Sequence, residues 1–130
     1  MIAPLLVTLL VASVPPGLDG LWVTQDRSAI VRIGACGETI CSRIVRVLKP
    51  GAPPNDVRNP DPALRARPLA GLAVLSGFAV AGAGASGGRA YDPATGRSYR
   101  AYLTPNADGA LRVTGCIAFL CRSQTWTRPR

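Results

Sequence analysis

The residues of this chain best suited to chemistry are its four cysteines, which come at one repeated spacing, Cys36-x4-Cys41 and Cys116-x4-Cys121. Thiols at such a spacing either hold a metal or close a disulfide. Structural zinc sites usually use the shorter Cys-x2-Cys spacing and often histidine, and this chain has no His. An even number of Cys in a small exported domain reads instead as disulfides. Three pairings are open, and the local one is favoured, with Cys36 bonded to Cys41 and Cys116 to Cys121. So short a loop removes little chain entropy, about 2 kcal/mol at most, so each bridge pins a hairpin rather than holding the fold together. No metal and no other cofactor is expected.

Other chemistry finds few carriers. Without His there is no imidazole base and no triad of the usual kind. Glu38 is the only Glu and falls in a turn. Asp92 opens the turn Asp92-Pro93-Ala94-Thr95-Gly96, which already accounts for it. Ser and Thr nucleophiles lack an activating base other than Lys49. No catalytic residue is assigned, and an enzyme is the least supported of three readings.

The net charge is +8, and fourteen of the fifteen basic residues are Arg. They are scattered singly along the chain, which reads as a solvated polar face. No recognition motif accompanies them, so nucleic acid is not an expected partner. A basic field does suit an anionic envelope surface.

The elements that must position these residues begin after an apolar run, Leu5 to Val14. With Val11 and Ser13 placed for cleavage after Ser13, it reads as a signal peptide over residues 1–13, although no Lys or Arg precedes it; the alternatives are an uncleaved N-terminal anchor or a misassigned start. It is too short to span a bilayer, so the mature chain has no transmembrane segment, and the location implied is periplasmic or secreted. Residues 18–130 form the single domain. Fourteen Gly and twelve Pro divide that domain into short runs, so many short strands are expected rather than a few helices.

Strands are expected at Asp19–Thr24, Ala29–Ile33 and Ser42–Leu48, with a turn over Gly34–Thr39. Lys49–Ala70 is a long Pro-rich loop, in which Asp61 caps and Pro62 starts one helical turn. Gly71–Val80 is apolar with a turn at Ser76-Gly77, and Ala79–Gly88 is nearly all Ala, Gly and Ser, as a loop or a thin strand. A hairpin spans Gly87–Leu103. A turn at Pro105–Gly109, another strand, the second Cys pair and a last strand to Arg128 complete eight or nine strands. The fold class is all-β, a small antiparallel up-and-down barrel. Such a barrel pairs its first strand with its last. Gly20 and Trp22 on the first strand, with Trp126 and Arg128 on the last, resemble the closure signature of lipocalin-like barrels. There the Arg guanidinium stacks on the indole, a contact worth about 1 kcal/mol or more when desolvated.

Longer segments carry a wider resemblance. These are Cys36-Gly-Glu-Thr-Ile-Cys41, Asn59-Pro-Asp-Pro-Ala-Leu-Arg65-Ala-Arg-Pro68-Leu-Ala-Gly71, then Gly87-Gly88, Tyr91-Asp-Pro93, Gly96, Tyr99 and Gly115, and finally Arg122-Ser-Gln-Thr-Trp-Thr-Arg128. Their order and spacing resemble the bacterial "domain of unknown function 2147" family over about Gly20 to Arg128. The resemblance implies an exported lipocalin-like (calycin) barrel and no established reaction. In one departure, Ala85-Ser86 stands before Gly87-Gly88 where such proteins usually have an aromatic.

The first functional reading is a periplasmic small-ligand-binding or carrier barrel, lidded by the Pro-rich loop. Its candidate contacts are Tyr99 inside and Asp61, Arg65 and Arg67 on the loop. The plainer role for Arg65 and Arg67 is to anchor the loop, through hydrogen bonds or ion pairs with Asp56 or Asp61. The alternative is a structural or interaction module of the envelope, with a side-chain-filled barrel and a basic surface.

Overall fold

A computed structural model describes residues 2–130. Eight strands follow one another: β1 (Gly20–Val23), β2 (Ala29–Cys36), β3 (Thr39–Val47), β4 (Ala73–Ala81), β5 (Gly84–Asp92), β6 (Arg97–Pro105), β7 (Leu111–Ile117) and β8 (Leu120–Trp126). Each pairs antiparallel with the next, in sequence order. Most connections are too short for anything but a hairpin, and that dictates the up-and-down order. Two-residue turns join β2 to β3 at Gly37-Glu38, β4 to β5 at Gly82-Ala83 and β7 to β8 at Ala118-Phe119. Among the described residues no helix is long and apolar enough to cross a membrane.

The sheet curls until its ends meet. Val23 and Thr127 exchange backbone hydrogen bonds of 2.6 and 3.1 Å across the seam. The Thr125 amide donates to Gln25 Oε1 at 2.7 Å beside them. Beyond this point no described strand pairs with the outer edge of β8, so the barrel is a curled one, open along part of its seam.

Alternation sends one face of each strand inward. Trp22 sits opposite Val31, Ile33 opposite Ser42, and Ile40 opposite Phe78. Trp22, Phe78, Ile33, Ile40, Leu75 and Leu111 are fully buried, so large apolar side chains fill the centre of the barrel. The Phe78 ring lies directly on Gly88, where a Cβ would overlap it. An inward aromatic from β4 therefore covers the wall beside the Gly pair. Among these residues the Ser42 hydroxyl is buried with no partner, an arrangement that typically costs about 1–3 kcal/mol.

Three local expectations change. Ser76-Gly77 is not a turn, because β4 runs through it with Gly77 at φ 74°. The Ala- and Gly-rich stretch forms the end of β4, a tight turn and the start of β5. Its ladder to β6 and the Phe78 ring supply the packing that its own side chains lack. Finally, β2 continues to Cys36, so the first Cys pair brackets a turn of only two residues.

Candidate functional site

The long loop between β3 and β4 is built around one carboxylate. The Asp56 side chain is fully buried and ion-paired to Arg67, Nη2 to Oδ2 at 3.0 Å. Arg67 Nε donates to the same oxygen at 3.0 Å and Asn59 Nδ2 at 2.9 Å, while the Tyr91 hydroxyl donates to Oδ1 at 2.5 Å. Burial alone would raise the Asp56 carboxyl. The hydrogen bonds from Tyr91, Asn59 and Arg67, with the Arg67 charge, outweigh it and hold the group below its ordinary value. Burial and the bond to Asp56 push the Tyr91 phenol up to about 12.

The rest of the loop fastens to this centre. Asp61 caps the single 3-10 turn, Pro62–Leu64, by accepting from the Ala63 amide at 3.0 Å. Arg65 Nε donates to the Asn59 carbonyl at 2.8 Å. Arg58 donates to the Ala94 carbonyl, and its own carbonyl packs on Gly96, where φ is 73° and a Cβ would not fit. The loop is thereby locked onto the β5–β6 turn. Asp61, Arg65 and Arg67 are engaged within it, and Tyr99 lies half-buried on the inner wall against Gly115.

At the seam the Arg128 guanidinium stands 3.8 Å from the centre of the Trp22 ring. Its Nη1 donates to the carbonyls of Asp19 at 2.8 Å and Leu21 at 3.1 Å. Gly20 makes room for it, at φ 105° and with a would-be Cβ 3.0 Å from Nη1. Trp22 Nε1 donates to the Leu18 carbonyl at 2.8 Å. Trp126 is buried in the core and donates to Gln124 Oε1 at 3.1 Å. The sulfurs of Cys36 and Cys41, and of Cys116 and Cys121, lie at bonding distance.

A third region has no partner of its own. An open groove of about 680 Å³ runs over β5 and β6 to the Cys116–Cys121 bridge. Arg89, Arg100, Tyr102 and Ser86 line it. Arg89 and Arg100 are direct cross-strand partners. Both are exposed, and no described acidic side chain is within ion-pairing distance of either. Like charges placed directly opposite on a sheet repel, so this pair costs stability unless an anion sits between them. Sequence reading missed it because a bulge between Ala85 and Gly88 sets the register. The available signal was Arg alternating with buried small residues on two adjacent strands.

The chain resembles known proteins in fold more than in sequence. HP1028 from Helicobacter pylori, described as belonging to the lipocalin family, superposes with a TM-score of 0.76 at 24% identity, over 87% of this chain and 83% of that one. No curated protein matches the sequence. The family model for an uncharacterized protein conserved in bacteria, DUF2147, matches residues 20–128. That span runs from Gly20 under the arginine clasp to Arg128 itself and takes in the locked loop, and by it the chain belongs to the DUF2147 family.

Proposed function

We propose that this is a periplasmic small-ligand-binding barrel, exported by its residues 1–13, whose ligand is an anion-headed amphiphile held in the groove over β5 and β6. The observation that carries this reading is the opposed pair Arg89 and Arg100, without an acidic partner among the described residues, in a groove of about 680 Å³. That volume lies within the roughly 300–1,000 Å³ of small-molecule sites. The lipocalin-like fold supports a carrier role, and the packed centre of the barrel directs the ligand to the groove instead of the interior. Tyr102 and the disulfide offer apolar surface for a tail, while the two guanidinium groups take the head.

Native mass spectrometry of protein taken from its own periplasm tests the reading. A retained small anion is expected, and it is lost from the Arg89→Ala/Arg100→Ala double variant. In vitro, dodecyl phosphate below its micellar concentration serves as the probe, and the double variant binds it about 10–100-fold more weakly. Equal binding by both proteins would sink the proposal. The packed interior favours a second reading, a filled structural module of the envelope. It expects no retained molecule and no saturable uptake of the probe.

A further inference from the structure

The β7–β8 hairpin ends in an exposed apolar tip. Ile117 is 57% exposed, Phe119 91% and Leu120 72%. The chain has only two Phe, and the other, Phe78, is fully buried. Water around an isolated aromatic at a loop end is unfavourable, and clustered exposed apolar residues mark interaction surfaces.

The backbone is strained to form this tip. Ala118 occupies the first central position of a two-residue turn at φ 53°. That position favours Gly, because a Cβ is strained there. The equivalent position of the β2–β3 turn is Gly37, at φ 61°, followed by Glu38. The other tight turns of the barrel are likewise small or polar: Gly82-Ala83, Pro93-Ala94-Thr95-Gly96 and Asn106 to Gly109. The Cys116–Cys121 bridge joins directly opposed residues at the base of the tip and holds it rigid.

Basic groups ring it. Arg100 Nη2 donates to the Ala118 carbonyl at 3.1 Å. Arg122 is exposed on β8, and exposed Arg97 lies further along β6 toward the same end. Asp92 is opposite Arg97 but is engaged in its own turn, accepting from the Ala94 amide at 2.9 Å and from Thr95 Oγ1 at 3.2 Å. Apolar side chains that project beyond a collar of guanidinium groups match a bilayer interface, with acyl chains below and anionic headgroups at the level of the collar.

We infer that Ile117, Phe119 and Leu120 insert into the surface of an anionic phospholipid membrane, with Arg97, Arg100 and Arg122 taking its phosphates. This docking is independent of whether the groove holds a ligand. If both hold, the tip brings the groove, which shares Arg100 and the disulfide, against the lipid surface.

The test is co-sedimentation of the mature, disulfide-intact protein with vesicles. Binding is expected to vesicles of phosphatidylcholine mixed with phosphatidylglycerol, and not to phosphatidylcholine alone. The Phe119→Ser/Leu120→Ser double variant, altered only at exposed positions, is expected to partition roughly tenfold or more weakly. A Phe119→Trp variant supplies a signal that does not depend on affinity: its added indole emission shifts to the blue on the mixed vesicles. The proposal is overturned by unchanged binding of the Ser variant, by the absence of that blue shift in the Phe119→Trp variant, or by equal binding to neutral vesicles. It is also overturned if the Ser substitutions abolish a dimer of this chain while vesicle binding persists.

Discussion

Two arginine clusters on this barrel have opposite electrostatic designs. At the loop, Arg67 meets a buried carboxylate that also accepts from Tyr91 and Asn59, so the charge is matched. In the groove, Arg89 and Arg100 face each other with no acid between them. The first arrangement is self-sufficient and fastens a loop to a hairpin. The second is incomplete without something anionic, and incompleteness on a surface is what a binding site requires. Arginine content alone says nothing about function here, since what distinguishes the clusters is whether a guanidinium already has an anionic partner.

The contrast can be broken most forcefully at Asp56. Asp56→Ala leaves Arg67 and the Tyr91 hydroxyl without their acceptor, and is expected to cost about 3–5 kcal/mol in urea unfolding. It should leave groove binding intact in whatever fraction stays folded. Tyr91→Phe removes only one charge-assisted hydrogen bond and should cost about 1.5–3 kcal/mol in the same measurement.

Acid and alkali titrate the lock from both sides. Asp56 has a folded pKa below its unfolded one, so its contribution is present above about pH 4 and is lost as pH falls through the folded value. Tyr91 has a folded pKa of about 12, raised from 10.0, so its contribution is present below pH 10 and is lost as pH rises through 12. Thermal melts across pH should fall at both extremes, and Tyr91→Phe should flatten the alkaline limb.

The smallest effect on stability belongs to the groove. Arg89→Ala should stabilise by about 0.2–1 kcal/mol at low salt, because it removes a like-charge pair. Added salt should erase that gain. A loss of stability instead would mean that the pair has a partner within the fold.

Legibility in the sequence followed the range of the interactions. The turn at Asp92–Gly96 and the helical turn capped by Asp61 are local, and their residue types announce them. Gly20, Trp22 and Arg128 are distant, but their placement on the first and last strands of a closing sheet brings them together. The Asp56–Tyr91 bond spans 35 residues, and nothing near Asp56 specifies a phenol. The Arg89–Arg100 pair depends on a bulge among Ala, Ser and Gly, where side chains give no register. The Ala118-Phe119 turn breaks the residue preference by which such turns are recognised, so only the flanking Cys116 and Cys121 announced the hairpin there.

The arginine clasp at the seam also sets an order of events during folding. Arg128 reaches back 109 residues to the Asp19 carbonyl, and Thr127 bonds to Val23. Both disulfides close loops with a separation of 5 residues. Hairpins and disulfides can therefore form between neighbouring strands, whereas the seam cannot be joined until segments 109 residues apart meet. A chain truncated before Trp126 would keep most of its hairpins yet expose Trp22 and leave both sheet edges open, the state most prone to pair with another chain.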